Sequence, residues 1–168
     1  MNAAVWLGAA VFFTFGAGPA FFSPDMQAVL GQKNYPYFSG AIAQVVLARY
    51  FRLNLVCAVI ALAHLLAEWL YMGRPARKFS LGLLAGLLLL ILIGGGALQP
   101  HLKTLHVRRY ALNALPAARE SAARSFRVWH ALAQFLNVVM IGGLVIYVWR
   151  VTNPRDTLRF VSPVKFRG

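Results

Sequence analysis

An apolar segment of the chain carries three polar residues, Asn54, His64 and Glu68. Steps of three or four residues through Cys57 and Ala61 place them on one side of a helix. A helix that crosses a bilayer turns such a line of polar side chains toward other helices or a water-filled cavity, because lipid cannot satisfy their hydrogen bonds. The line therefore predicts a membrane protein with a polar interior.

His64 and Glu68 are one helical turn apart, and together they can carry a proton or bind a cation. A structural role is the alternative: Glu68 forms an ion pair with Arg74 or Arg77, and His64 is hydrogen-bonded inside the bundle. The sequence leaves both interpretations open.

A second polar group begins the last apolar segment, where His130, Gln134 and Asn137 share one helical face. Four residues of other segments are predicted at a similar depth: Arg52, Asn54, Gln99 and His101. Guanidinium, imidazole and amide groups together can bind an anion, a lipid headgroup or a proton. The alternative is that the amides only join helices by hydrogen bonds, while His130 bonds to a neighbouring backbone.

The histidines are poorly spaced for a haem or a metal ion. Counted along the helices at 1.5 Å per residue, His64 lies about 21 Å into the membrane and His130 about 5 Å from the same side. A metal that binds each nitrogen at about 2 Å cannot bridge that difference. His101 and His106 are five residues apart, which does not put them on one helical face. We expect no cofactor, and a haem or metal redox protein is the less favoured class.

No sequence motif indicates an enzyme. The chain has no GxSxG, HExxH or glycine-rich phosphate loop. Its single cysteine, Cys57, excludes an internal disulfide or a CxxC site. A non-enzymatic protein is therefore expected.

Four apolar segments long enough to cross a bilayer must position these polar residues: 3–22, 51–71, 79–98 and 128–150. Hydrophobic residues make up 60% of the 168-residue chain, and its mean hydropathy is +0.62. The segments do not alternate apolar and polar residues as membrane β-strands do. The sequence predicts an all-α integral membrane four-helix bundle, formed by one domain (1–150) and followed by a basic tail (151–168).

The first connection contains a helix start. Ser23 suits the N-cap, Pro24 the first helical position and Asp25 the positive end of the helix dipole. A short interfacial helix is predicted from there to about Leu30. The aromatic sequence NYPYF at 34–38 is predicted to form a turn at the membrane surface.

Two further features predict helical extensions on the side of the long loops. A helix over 41–71 is about 45 Å long, whereas the hydrocarbon core is about 30 Å thick. Pro116 suits the first turn of a helix that leads into the fourth span. Between them, the glycine run at 94–96 predicts a bend where the third span leaves the membrane.

The net charge of +13 favours a membrane surface over nucleic acid. Lys and Arg lie mostly at helix ends and in loops, where they attract anionic lipid headgroups. They number nine on the side of the first and third loops and eight on the side of the termini. The short second loop is the most densely basic, which predicts both termini in the cytoplasm. No basic residue precedes the first segment, so it is expected to be a retained span rather than a signal peptide.

Scattered blocks of the sequence carry a family resemblance: Trp6–Phe22, Arg49–Phe51, Leu98–Tyr110 and Ser125–Asn137. In the last block, Phe126, His130 and Asn137 match a pattern F-x-x-x-H-x(6)-N. The blocks resemble a family of small four-span membrane proteins, a domain of unknown function that includes transmembrane protein 205-like proteins. The resemblance implies four helices and no established activity. The family is distantly similar to copper-resistance membrane proteins, but this chain has no Met-rich or Cys-rich copper motif.

Two functions are therefore expected from different classes. In the first, the polar interior binds or passes a small ion or solute. In the second, the protein is an accessory or scaffold subunit of a larger membrane complex, and its polar residues serve only packing. Either role can involve a homo-oligomer, because Gly82 and Gly86 form a small-residue face.

Overall fold

A computed structural model describes residues 1–72 and 78–153, and nearly all of them are helical. The helices are labelled in chain order: α1 Asn2–Ala20, α2 Pro24–Leu30, α3 Tyr35–Met72, α4 Lys78–Arg109 and α5 Pro116–Thr152. All but α2 are long and apolar enough to cross a membrane. No strand occurs in the two described ranges. The chain is thus the predicted all-α, multi-pass integral membrane protein, while its division into one domain and a basic tail stays a prediction.

The four long helices pack as a square. Helices α1 and α4 occupy opposite corners, and each contacts both α3 and α5. Small residues of α3 allow this close packing, and Cys57, Ala58 and Ala61 are all at least 97% buried. Trp6 of α1 and Leu144 of α5 are completely buried. The core therefore lies at the centre of the square.

Capping and proline residues set the helix starts. The Ser23 hydroxyl accepts a hydrogen bond from a backbone N–H three residues on, and Pro24 occupies the first turn, which confirms the predicted start of α2. The predicted turn at 34–38 is wrong, because α3 already begins at Tyr35. Pro36 lies in the first turn of α3, where the missing N–H of proline leaves no intrahelical bond unmade.

Helical extensions make three of the helices much longer than a bilayer core is thick. Helices α3, α4 and α5 contain 38, 32 and 37 residues, respectively. At 1.5 Å per residue they span about 48 to 57 Å, compared with about 30 Å of hydrocarbon. Helix α1 has only 19 residues. Contacts between the start of α3 and the end of α4 confirm that the extensions lie on the long-loop side.

Each of α1 and α4 contains one widened, π-helical turn, at Phe13–Ala17 and Gly94–Leu98. In both helices one residue separates this turn from a proline, Pro19 or Pro100. Proline has no N–H to donate, and its ring crowds the carbonyl four residues earlier. The residue before each proline instead donates to the carbonyl that begins the widened turn. The predicted bend at 94–96 is thus a π-helical turn inside a continuous helix.

Glycine in the second widened turn allows a close contact between α3 and α4. The Phe51 ring lies against Gly94 and Gly95. A Cβ atom at position 94 would lie 2.7 Å from Cζ of Phe51, and even closer to its Cε1. This turn therefore determines how closely α3 and α4 approach each other.

Candidate functional site

A cavity of about 640 Å³ lies at the long-loop end of the bundle, where α1 ends early. Phe13 of α1 stacks on Tyr50 of α3 with 4.2 Å between ring centroids. Beyond this level, α3 extends about 22 Å to Tyr35, but α1 extends only about 10 Å to Ala20. The early end of α1 leaves space between the other three long helices. The volume is in the range of sites that hold small molecules, about 300 to 1,000 Å³.

The wall combines aromatic surface with a few polar groups. All four long helices contribute, and both π-helical turns border the cavity. The polar side chains near the long-loop end include the hydroxyls of Tyr35 and Tyr110, together with Ser39 and Gln44 of α3, His106 and Arg109 of α4, and His130 of α5. No Asp or Glu occurs among the described residues that line it. The cavity therefore offers hydrogen bonds and positive charge, but no carboxylate for a cation.

Gln44 carries an unmet hydrogen-bond requirement. The residue is only 9% exposed, and its side-chain carbonyl oxygen has no hydrogen-bond partner among the described residues. Leaving such a buried acceptor unpaired costs about 1–3 kcal/mol. Gln44 lines the cavity, so a bound molecule with a hydroxyl or N–H group can satisfy this oxygen once the side-chain amide turns toward the cavity.

His106 joins the end of α4 to the start of α3. Its Nε2 donates to the Tyr37 carbonyl oxygen at 3.0 Å. Because a carbonyl oxygen only accepts, Nε2 carries the proton and Nδ1 is the acceptor of the neutral ring. The ring also packs against Gly40, where a Cβ atom would lie 2.9 Å from Nδ1. His106 is therefore held in place by two residues of one helical turn.

A chain of hydrogen bonds across three helices forms the floor of the cavity. The Tyr50 hydroxyl donates to Asn137 Oδ1 at 3.1 Å, and Asn137 Nδ2 donates to the Thr14 hydroxyl at 2.7 Å. Below them, Asn54 Nδ2 donates to the Tyr50 carbonyl at 2.8 Å. The Trp6 indole N–H donates to Asn54 Oδ1 at 2.7 Å. Both amides thus make the helix-joining bonds of the structural alternative.

Four of the predicted site residues line this cavity: Gln99, His130, Gln134 and Asn137. The His130 ring stacks on Phe126 with 5.6 Å between centroids. Arg52 and His101 are exposed and do not line it, and the His101 ring meets Trp129 edge to face. Asn54 lies beneath the floor. The sequence estimated the depth of these residues, but not the helical face of Arg52 and His101.

His64 and Glu68 lie at the other end of the bundle, and their prediction as interior residues is wrong. Their side chains are 74% and 46% exposed, with 3.5 Å between His64 Nδ1 and Glu68 Oε1. The first residue of α1, Asn2, donates from Nδ2 to the Cys57 carbonyl oxygen at 2.9 Å. His64 and Glu68 lie about two and three turns farther along α3 than Cys57. The alternative partners predicted for Glu68 lie outside the described residues: Arg74 and Arg77.

Sequence reasoning missed Gln44 as a site residue and considered His106 only as a metal ligand. One signal was present for His106, because it follows Gln99 by seven residues and so shares its helical face. For Gln44 the only signal in the sequence was an amide side chain within an apolar helix. Within residues 1–72 and 78–153, no group of three or more His, Cys, Asp or Glu side chains is arranged to hold a metal ion.

The comparisons with known proteins give one family. A family model described as Domain of unknown function (DUF4149) matches residues 1–111. No curated protein and no solved structure matches the chain. The matched region contains α1 to α4, and hence Gln44 and His106, whereas His130 lies beyond it.

Proposed function

Because this integral membrane protein belongs to the DUF4149 family, a domain of unknown function, we propose its function from the geometry of its cavity. The protein binds a small solute in the space at the long-loop end of the bundle and catalyses no reaction. One observation carries the proposal: the Gln44 carbonyl oxygen is buried in the wall of a cavity of about 640 Å³ and has no partner among the described residues.

The floor of the cavity favours binding over passage through a single bundle. Thr14, Asn137 and Tyr50 are joined by hydrogen bonds across it. Below them the core is close-packed, with Trp6 and Leu144 fully buried. A solute that enters from the long-loop end thus meets a closed floor, which supports a binding role.

Replacement of two alanines of α5 by phenylalanine, one inside the cavity and one outside it, tests this function. Ala133 lines the cavity, whereas Ala131 of the same helix is exposed and does not. We expect protein purified in mild detergent to carry a small molecule that mass spectrometry detects after solvent extraction. Ala133→Phe fills the cavity and is expected to reduce that molecule about tenfold per mole of protein, a loss of about 1.4 kcal/mol in binding.

Ala131→Phe adds the same ring on the outside and is expected to retain the molecule. Equal amounts in both variants, or no molecule in the parent protein, would contradict a binding function. Circular dichroism of each variant checks that its helices are intact.

A second function, as an accessory subunit or homo-oligomer, is favoured by a different observation. Gly82 and Gly86 are exposed on α4, and a Cβ atom at either position would meet nothing within 4 Å. This small-residue pair is therefore not used in packing within the described bundle. Small residues four apart allow another membrane helix to approach closely.

The glycine pair gives this second function its own test. We expect Gly86→Leu to reduce the mass of the protein in detergent, measured by light scattering, from an oligomer to a monomer. Gly142→Leu makes the same change at an exposed glycine of α5 and is expected to leave the mass unchanged. A parent protein that is already monomeric would argue against the role.

The resemblance to transmembrane protein 205-like and copper-resistance proteins stays a prediction. Among the described residues that line the cavity there is one methionine, Met140, which does not make a Met-rich copper site. The cytoplasmic position of both termini and the attraction to anionic headgroups also stay predictions.

A further inference from the structure

The charge of the cavity points to an anion. Arg109 is the charged residue among its described lining side chains, and a guanidinium carries a positive charge. The acidic residues of the described part of the chain do not line the cavity: Asp25, Glu68 and Glu120. Guanidinium binds phosphate with two parallel hydrogen bonds, which makes phosphate a suitable partner.

The unpartnered Gln44 carbonyl oxygen requires a second chemical group, a hydrogen-bond donor. Gly40 touches His106. From that level Gln44 lies one turn along α3 toward the floor, and Arg109 lies one turn along α4 toward the long-loop end, so the two backbones are about 10 Å apart along the bundle axis. The long side chains of both residues, together with one headgroup, can span that distance. A molecule with both phosphate and hydroxyl groups thus matches the two requirements.

The rest of the wall is suited to hydrocarbon. Phe13, Phe51 and Phe126 line the interior, and Phe22 continues the same wall onto the outer surface, where it is 54% exposed. The volume is that of a drug-sized molecule. A lipid can therefore place its headgroup and glycerol inside the cavity while its acyl chains continue into the bilayer past the end of α1.

We propose that this cavity binds a phospholipid whose headgroup carries both an anionic phosphate and a hydroxyl. The phosphate lies at Arg109, and the hydroxyl donates to the Gln44 carbonyl oxygen. This inference rests on the proposed binding function and names the class of its ligand.

Three lipids that differ in single features test the proposal on the unaltered protein. Phosphatidylglycerol has the phosphate and hydroxyls, phosphatidylmethanol has the same charge without hydroxyls, and phosphatidylcholine has neither net charge nor hydroxyl. The readout is the thermal unfolding midpoint in a neutral detergent as each lipid is added, since ligand binding to the folded state raises it. We expect phosphatidylglycerol to act at the lowest concentration, phosphatidylmethanol at about tenfold more, and phosphatidylcholine not to act.

Neighbouring arginines provide a matched control for the phosphate. Arg109 lines the cavity, but Arg108 is exposed and does not line it. Arg109→Gln is expected to weaken the effects of both anionic lipids about tenfold or more, whereas Arg108→Gln leaves them unchanged. Gln44→Leu is expected to remove the preference for phosphatidylglycerol over phosphatidylmethanol. Because it also removes an unpaired buried acceptor, folding should tolerate it.

Three results would overturn the inference. Equal stabilisation by phosphatidylcholine and phosphatidylglycerol would show no headgroup recognition. Equal losses in Arg108→Gln and Arg109→Gln would show general attraction to the basic surface. Stabilisation by soluble glycerol phosphate at the same concentration would show a free solute rather than a lipid.

Two combinations of results distinguish the lipid inference from the binding function. If no lipid stabilises the protein but Ala133→Phe still loses a co-purified compound, the lipid inference fails and the binding function stands. If Ala133→Phe and Ala131→Phe retain equal amounts, both fail.

Discussion

Gly40→Val should lower the free energy of unfolding by about 2–3 kcal/mol, within the range of overpacking a close contact. A Cβ atom at this position would lie 2.9 Å from Nδ1 of His106 and even nearer to its Cε1. The ring cannot retreat without stretching its 3.0 Å hydrogen bond to the Tyr37 carbonyl oxygen. Denaturant or thermal unfolding in detergent, followed by circular dichroism, measures the change.

Two further variants separate this contact from a general effect of valine in a helix. At Gly142, a Cβ atom would meet nothing within 4 Å, so Gly142→Val should be nearly neutral. Removing the imidazole as well, in Gly40→Val/His106→Ala, should recover part of the loss because the two residues are coupled. Equal destabilisation by the two valines would refute the close contact.

Asn54→Leu should cost about 2 kcal/mol, because it leaves the Trp6 indole N–H buried without an acceptor. Trp6 is 0% and Asn54 1% exposed, so water cannot replace the bond. Leucine has the same number and branching of side-chain heavy atoms as asparagine, so the substitution leaves no cavity. The measurement is again the free energy of unfolding in detergent.

A double-mutant cycle with Trp6→Phe isolates this bond. The double variant has neither the donor nor the acceptor, and it should cost clearly less than the sum of the two single variants. Additive costs would mean that the 2.7 Å contact between Trp6 and Asn54 contributes nothing to stability.

The sequence was sufficient for features that depend on local chemistry. The four spans follow from length and hydropathy, and the start of α2 follows from Ser23 and Pro24 alone. The start of α3 was misjudged because proline suits both a turn and a first helical turn. Pro36 takes the second role.

The site was harder to predict, because it depends on where separate helices begin and end. Periodicity placed His64 on one line with Cys57, but could not tell that Cys57 is buried while His64 is exposed. Counting residues along the helices predicted similar depths for Arg52 and His130. It did not predict whether the helical face that carries each residue borders the cavity. The cavity exists because α1 ends early, and only the assembled bundle reveals that Gln44 and His106 border it.

The widened turns in α1 and α4 change the direction in which the side chains beyond them point. Each amino acid in an α-helix advances the rotation by about 100°, so the additional residue in a π-helical turn rotates everything beyond it by that angle. The core half and the cavity half of each helix can therefore present different faces to the same neighbours. A single extra residue, in the turns at Phe13–Ala17 and Gly94–Leu98, gives the end of the bundle an orientation independent of its packed centre.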